Sequence, residues 1–280
     1  MIVTRFAPSP TGYLHTGHAY AALFAAEAAR AANGRFLLRI EDIDATRCRP
    51  AFETAIYEDL AWLGLVWETP VRRQSEHFGD YRAALARLET MGLIYPCFCT
   101  RKEIAAEIAA SAGAPHGPDG PLYPGACRHR DAAERAARIA AGEPYVLRLD
   151  MARAIARTGP LTMEESGVRQ PAAPAVFGDV VLARKDVPAS YHLAVTVDDA
   201  LQGVTLVTRG EDLLPAAFVH RLLQALLDLP EPAYRHHKLL TGPDGRRLAK
   251  RDGAETLADV RARGVSPDDL RARLGFAGGR

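Results

Sequence analysis

Ile2-Val3-Thr4-Arg5-Phe6 is a short apolar run closed by prolines, the pattern of a buried strand. Residues 17–33 read as a helix, and Asn33-Gly34 supplies its stop signal. Residues 35–40 form a second strand that runs out into Glu41-Asp42-Ile43-Asp44. Strand, helix and strand in this order make a parallel crossover unit, normally right-handed. Further helices are expected over 51–63 and 78–91. From Tyr95 the character changes: cysteines, a loop over 112–125 rich in Gly and Pro, and an Ala/Arg helix over 130–141. Strands over 144–150 and 176–184 suggest a smaller module. Strand-like runs return at 191–197 and 203–208, followed by a helix over 214–227. The pattern predicts an α/β fold, a Rossmann-like doubly wound parallel sheet. Its halves are 1–94 and 189–240, split by an insertion at 95–188. A basic loop and a short helical tail occupy 241–280.

A chain of 280 residues with 48% hydrophobic content is long enough to bury a substantial core. Its net charge of +1 announces no global field for nucleic acid, so any RNA contact has to come from local patches. The start of the chain lacks the charged-then-apolar layout of a signal peptide. The apolar stretch 19–32 is broken by Glu27 and Arg30, well short of a membrane span. Four cysteines in a chain of this length do not read as a disulfide framework. A cytoplasmic, monomeric protein without membrane contact is expected.

Two stretches carry candidate chemistry. In a doubly wound sheet ligands sit beyond the carboxyl ends of the strands, and residues 8–18 leave the first strand at that edge. Pro8 and Pro10 fix the backbone, while Gly12 and Gly17 permit close approach to a ligand. His15 and His18, three apart, face the same way in the first helical turn. There the oriented amides favour phosphate, and two imidazoles can donate to phosphoryl oxygens as charge builds. An isolated His pair at this spacing more often only caps a helix; the proline-glycine lead-in after a strand reverses that preference. The second stretch is Arg246, Arg247, Lys250 and Arg251, after the turn signal Thr241-Gly242-Pro243-Asp244-Gly245. Alone it would be a solvated basic loop. Coupled to the first stretch, it can fold over a triphosphate and meet the leaving pyrophosphate. Lys250, one of only four lysines, is the residue that stands out.

Two arginines at strand ends, Arg5 and Arg209, are suited to carboxylates, whose geometry matches the guanidinium fork. Glu41, ending the second strand, is placed to meet an ammonium. Cys97, Cys99 and Cys127 could supply three thiolates to a tetrahedral structural zinc, with Tyr123, His116 or His129 as the fourth ligand. Small buried thiols account for the same spacing equally well. Cys48 stands apart and reads as structural.

The His15-Thr16-Gly17-His18 turn and the basic loop resemble the two signatures of the class I aminoacyl-tRNA synthetases. Residues 5–12 (RFAPSPTG) and 39–44 (RIEDID), with 197–199 (VDD) and 207–212 (VTRGED), resemble the glutamyl-tRNA synthetase group across most of the chain. The loop departs from the family's K-M-S-K-S: Arg247, Ala249 and Arg251 replace its first Lys, first Ser and last Ser, and Lys250 keeps the second lysine. The resemblance implies His15, His18 and Lys250 as catalytic residues. It implies Pro8, Gly17, His18 and Lys250 at ATP with Mg2+, and Arg5, Ser9, Glu41, Tyr191 and Arg209 at L-glutamate. A Cys-x-Cys…Tyr-x-x-x-Cys pattern in one branch maps onto Cys97, Cys99, Tyr123 and Cys127. It implies one structural Zn2+ within the insertion. That pattern, and a chain ending soon after the basic loop, resemble the truncated glutamyl-queuosine tRNA(Asp) synthetases. The expected partner is then the anticodon stem-loop of tRNA(Asp) bearing queuosine. The acceptor would be its cyclopentenediol, and glutamate activation would need no tRNA. Arg261, Arg263, Arg271 and Arg273 of the tail are candidate phosphate contacts. The competing readings are a shortened enzyme charging the 3′ end of tRNA(Glu) and a non-catalytic RNA-binding paralogue.

Overall fold

The structure, a computed structural model, describes residues 1–280 apart from 111–115, 119, 185–186, 241–254 and 277–280. Strand β1 (Val3–Phe6) is followed by α1 (Thr16–Ala31), β2 (Arg35–Ile40), α2 (Pro50–Trp62), the two-residue β3 (Arg72–Arg73) and α3 (Phe78–Thr90). β1, β2 and β3 lie side by side in that order, all parallel. The crossover from α1 into β2 depends on Gly34. A Cβ there would lie 2.1 Å from the Ile2 carbonyl oxygen, so only glycine lets β2 start against β1.

The middle of the chain supplies β4 (Ile94–Cys97), α4 (Arg101–Ala110), β5 (His116–Gly117), β6 (Gly120–Pro121), α5 (Ala132–Ala140) and β7 (Val146–Leu149). α6 (Met151–Thr158), β8 (Leu161–Glu165), β9 (Val168–Ala172) and β10 (Val181–Arg184) follow. β10, β7 and β4 form an antiparallel sheet of their own. The hairpin of β8 and β9, although within the expected insertion, belongs elsewhere. It pairs with the second half of the chain, which consists of α7 (Tyr191–Leu201), β11 (Leu206–Gly210), α8 (Leu214–Leu226) and β12 (Ala233–His237). β11 and β12 are parallel, and β8 joins β12 through Tyr234 and Glu165. β1 and β11 run beside each other, tied where Thr205 N–H donates to Val3 O at 3.0 Å. The α/β fold with parallel strands is as expected.

One element differs in type. Residues 191–197 were expected to be strand-like, and they form the first part of helix α7. Ser190 caps it, its hydroxyl accepting from Leu193 N–H. Because seven consecutive residues from Leu193 to Asp199 are buried, the helix shows no polar face, and its apolar run imitates a buried strand.

The tail forms α9 (Leu257–Ala262) and α10 (Pro267–Arg273). Leu257, Val260 and Leu270 are buried with Leu14, Ala19, Ile56 and Leu60 of the first half. Each such side chain contributes about 1.5–3 kcal/mol on burial. A second core joins α3, α6, α7 and α8 through Leu88, Ala154, Leu193 and Leu222. Among the described residues no helix is long and apolar enough to cross a membrane.

Candidate active site

The carboxyl ends of β1, β2, β11 and β12 open onto one cleft of about 290 Å³. Arg5, His15, Gly17, His18, Glu41, Tyr191 and Arg209 all line it. The expected nucleotide turn and the expected amino-acid residues therefore share a single space. Ser9 is exposed on an adjoining cavity of about 550 Å³ that shares Glu41 and Tyr191 with the first. Pro8 is buried, and its carbonyl accepts the Glu41 N–H at 3.0 Å. It holds the end of β2 against the loop after β1.

His15 is the N-cap of α1. Its Nδ1 accepts from Gly17 N–H at 3.1 Å, and His18 Nδ1 accepts from His15 N–H at 3.1 Å. The rings lie 3.8 Å apart, centroid to centroid. Capping and chemistry are thus not alternatives. Accepting at Nδ1 puts the proton of each neutral ring on Nε2, so both rings carry a donor there. Gly17 leaves room for this arrangement: a Cβ would stand 2.9 Å from His15 Cε1, so the ring would have to shift.

Lys250 and the basic loop lie outside the described residues. The described residues on either side border the site. Leu239 and Leu240 line the cleft, while Thr256 forms a bridge with His15, and Leu257 N–H donates to Leu14 O at 2.8 Å.

The amino-acid end is a buried charge array. Arg5 donates from Nε and Nη2 to the two oxygens of Asp199 at 2.9 and 3.3 Å, and from Nη1 to Thr208 O. Arg39, fully buried, donates to Asp199 at 2.7 Å, to Gln202 at 3.0 Å and to Glu41 at 3.1 Å. Burial pushes the Glu41 carboxyl above its ordinary range, with Arg39 and Arg5 pulling it back. Asp199, also buried, is held below the carboxylate range because Arg5 and Arg39 outweigh its burial. Arg209 donates from Nη1 to the Tyr191 hydroxyl at 3.0 Å; its Nη2 is buried with no hydrogen-bond partner among the described residues. Two N–H groups of this arginine are therefore available.

Arg39 and Asp199 stand in the quoted stretches 39–44 and 197–199 without an expected role, and no local pattern marks His220, His236 or His237. Asp199 lies eight residues after Tyr191, a helical spacing that becomes a signal once 191–201 is read as a helix. His237 lines the cleft between the Tyr20 and Phe24 rings, at centroid distances of 5.0 and 5.2 Å.

Away from the cleft, the sulfurs of Cys97, Cys99 and Cys127 lie within 4.8 Å of one another. The Tyr123 hydroxyl is 3.3 Å from Cys97 Sγ and 3.7 Å from Cys99 Sγ, and accepts the Cys127 N–H at 2.8 Å. A tetrahedron of thiolates at ~2.3 Å from zinc has edges of roughly 3.8 Å, so the cluster is the right size for such an ion. Burial works against a Cys127 thiolate, but the Phe98 N–H and the Arg130 side chain outweigh it and bring that thiol down to about 7. His129 is not part of the cluster, the His116 side chain lies outside the described residues, and Cys48 stands apart. In the tail, Arg261 pairs with Asp59, Arg263 with Glu255, and Arg271 donates to Leu63 O. These arginines are engaged in holding α9 and α10.

Residues 1–278 match the family model of the class I (E and Q) tRNA synthetase catalytic domain. The Rhodobacter capsulatus protein named glutamyl-Q tRNA(Asp) synthetase is 50% identical over 281 residues, covering 98% of this chain and 100% of that protein. Its namesake in Symbiobacterium thermophilum is 46% identical over 290 residues, covering 100% of this chain and 87% of that one. Among solved structures, a glutamate tRNA ligase from Elizabethkingia meningosepticum, crystallised with its amino acid, superposes with a TM-score of 0.80 at 27% identity. The match covers 98% of this chain, which spans 60% of that ligase.

Proposed function

The chain belongs to the class I tRNA synthetases of the E and Q type, and we propose on that premise how its cleft activates L-glutamate with ATP. The single observation that carries the reading is that His15 and His18 share one cleft with Arg5, Glu41 and Arg209. Arg5, Arg39 and Arg209 against Asp199 and Glu41 leave this array one positive charge. Glutamate brings two carboxylates and one ammonium, hence one negative charge, so substrate and site are complementary. Glu41 receives the ammonium, and Arg209, steadied by Tyr191, receives the side-chain carboxylate.

A glutamate α-carboxylate oxygen then attacks the α-phosphorus of ATP, and pyrophosphate leaves. The Nε2–H groups of His15 and His18 meet charge that develops on the phosphoryl oxygens, and Lys250 serves the same end from the basic loop. Mg2+ bound with ATP supplies further neutralisation of the triphosphate. Positioning and charge stabilisation carry the catalysis, with no covalent enzyme intermediate.

The second step transfers glutamate to an RNA hydroxyl. The Rhodobacter capsulatus and Symbiobacterium thermophilum proteins named glutamyl-Q tRNA(Asp) synthetase match this chain over 98% and 100% of its length. The acceptor we assign is accordingly the cyclopentenediol of queuosine in the anticodon stem-loop of tRNA(Asp). The larger cavity, which shares Glu41 and Tyr191 and also holds Ser9 and Arg148, is the entry for that base. Residues 95–188, apart from the β8–β9 hairpin, serve acceptor recognition. Cys97, Cys99, Tyr123 and Cys127 would hold a structural Zn2+ that pins the 97–99 loop to the 123–127 loop. The enzyme acts as a single chain in the cytoplasm.

Labelled glutamate offered with tRNA(Asp) that carries or lacks queuosine, and with tRNA(Glu), tests the acceptor. Labelling is expected only on queuosine-bearing tRNA(Asp). Charging of tRNA(Glu) would refute the assignment. Metal analysis of the purified protein is expected to find one zinc per chain, lost in Cys99→Ser.

A further inference from the structure

Arg5 and Arg209 stand on adjacent strands and line the same cleft, yet they are held by different kinds of group. Arg5 is met by the Asp199 carboxylate. No carboxylate lies within ion-pair distance of Arg209 among the described residues. Its Nε donates to His236 Nε2 at 3.3 Å, and its Nη1 to the Tyr191 hydroxyl at 3.0 Å and His220 Nδ1 at 3.3 Å. All three acceptors are uncharged.

Each imidazole is fixed in the tautomer this requires. On one side, Glu165 Oε2 lies 2.6 Å from His236 Nδ1, and its other oxygen accepts the His236 backbone N–H at 2.9 Å. The ring proton therefore sits on Nδ1, and the Nε2 lone pair is left for Arg209. On the other side, His220 accepts at Nδ1, so its proton is on Nε2, 3.1 Å from His192 Nδ1. Burial, and then the Arg209 charge, hold His220 well below its usual range and bring His192 down to about 4. Burial likewise lowers His236. These rings stay neutral at physiological pH.

The distinction has a chemical consequence. A carboxylate in place of either ring would cancel the guanidinium charge, and an imidazolium would oppose it. Neutral acceptors orient Arg209 and leave its charge intact, with both Nη2 hydrogens unpaired. We infer that two neutral rings, His236 fixed in its tautomer by Glu165 and His220 backed by His192, clamp Arg209 from both sides with no carboxylate in contact with it, and that this sets the preference for a side-chain carboxylate over a carboxamide. They are positioning residues, acting through Arg209. The inference rests on the reading of the cleft as a glutamate site.

The test is ATP–pyrophosphate exchange by the full chain, measuring KM and kcat for glutamate and Ki for glutamine. His236→Leu removes the acceptor, His236→Gln keeps one in its side-chain carbonyl, and Glu165→Gln frees the ring tautomer at a partly exposed position. His236→Leu is expected to raise the glutamate KM by about tenfold or more with kcat little changed, because uniform binding is what is lost. The glutamine Ki should stay near its original value, so the ratio of the two constants shrinks. Glu165→Gln should move the ratio the same way, and His236→Gln should restore much of it. An unchanged ratio in correctly folded His236→Leu and Glu165→Gln, with kcat and both constants degraded together, overturns the clamp. Wild-type protein with no glutamate-dependent exchange would instead remove the underlying reading of the cleft.

Discussion

Gly17 shows how closely the backbone is fitted to the chemistry. With a Cβ placed 2.9 Å from the His15 ring, Gly17→Ala has to displace an imidazole that caps the helix and that we propose donates to the phosphates. Loss of a preorganised donor of this kind costs about 10²–10³ in kcat. Pyrophosphate exchange by Gly17→Ala or His18→Ala is expected to fall by that order, with glutamate KM little altered. Glu41 gives a pH dependence of definite sign. Burial raises its carboxyl above the ordinary range, so on acidification it protonates before an exposed glutamate would. Protonated Glu41 has no charge for the substrate ammonium. The glutamate KM should therefore rise as pH falls, and Glu41→Gln should show a higher KM with that acid limb gone. A profile of KM against pH for the two proteins checks both statements. At this scale the strand ends and charge types were enough to bring Arg5, Glu41 and Arg209 to one cleft, where all three stand. The side chains that orient them were not, because Arg39, Asp199 and His236 act through contacts between distant segments.

Helix α9 meets the first half through Arg261 and Asp59, 3.2 Å apart, and α10 through Arg271, which donates to Leu63 O. Burial raises Asp59 from 3.8 to about 6, with Arg261 pulling it down. The folded chain thus binds this proton more tightly than the unfolded one. Between those two values stability contributed by Asp59 increases as pH falls, and ionised Asp59 weighs against folding at neutral pH. Relative to Asp59→Asn, the wild type should gain stability on going from pH 7.5 to pH 5. Thermal midpoints of both proteins at the two pH values measure this; a wild-type loss on acidification relative to the variant would contradict it. Elements were readable where polar and apolar faces alternate. α1, α2, α3 and α8 were expected, as was the helical tail. Helix α7 was not, since burial on all sides erases its period. The hairpin of β8 and β9 was also hidden. Its place beside β12 is set by long-range pairing and the Glu165 contact with His236, which no local pattern reports.

Taken as one molecule, the fold brings a turn near the amino terminus and strands from the second half around a common cleft, and the tail returns to the same place. Thr256 bridges His15, and Leu257 donates to Leu14, so residues after the basic loop are anchored at the turn that carries His15 and His18. On the proposed reading, this one cleft couples glutamate recognition to ATP chemistry with the protein's own groups. The most direct measurement is exchange of labelled pyrophosphate into ATP by the purified chain in the complete absence of RNA. Exchange is expected to require glutamate, to be unsupported by glutamine and to be abolished in Arg209→Ala. Exchange that ignores the amino acid, or none until RNA is added, would contradict it.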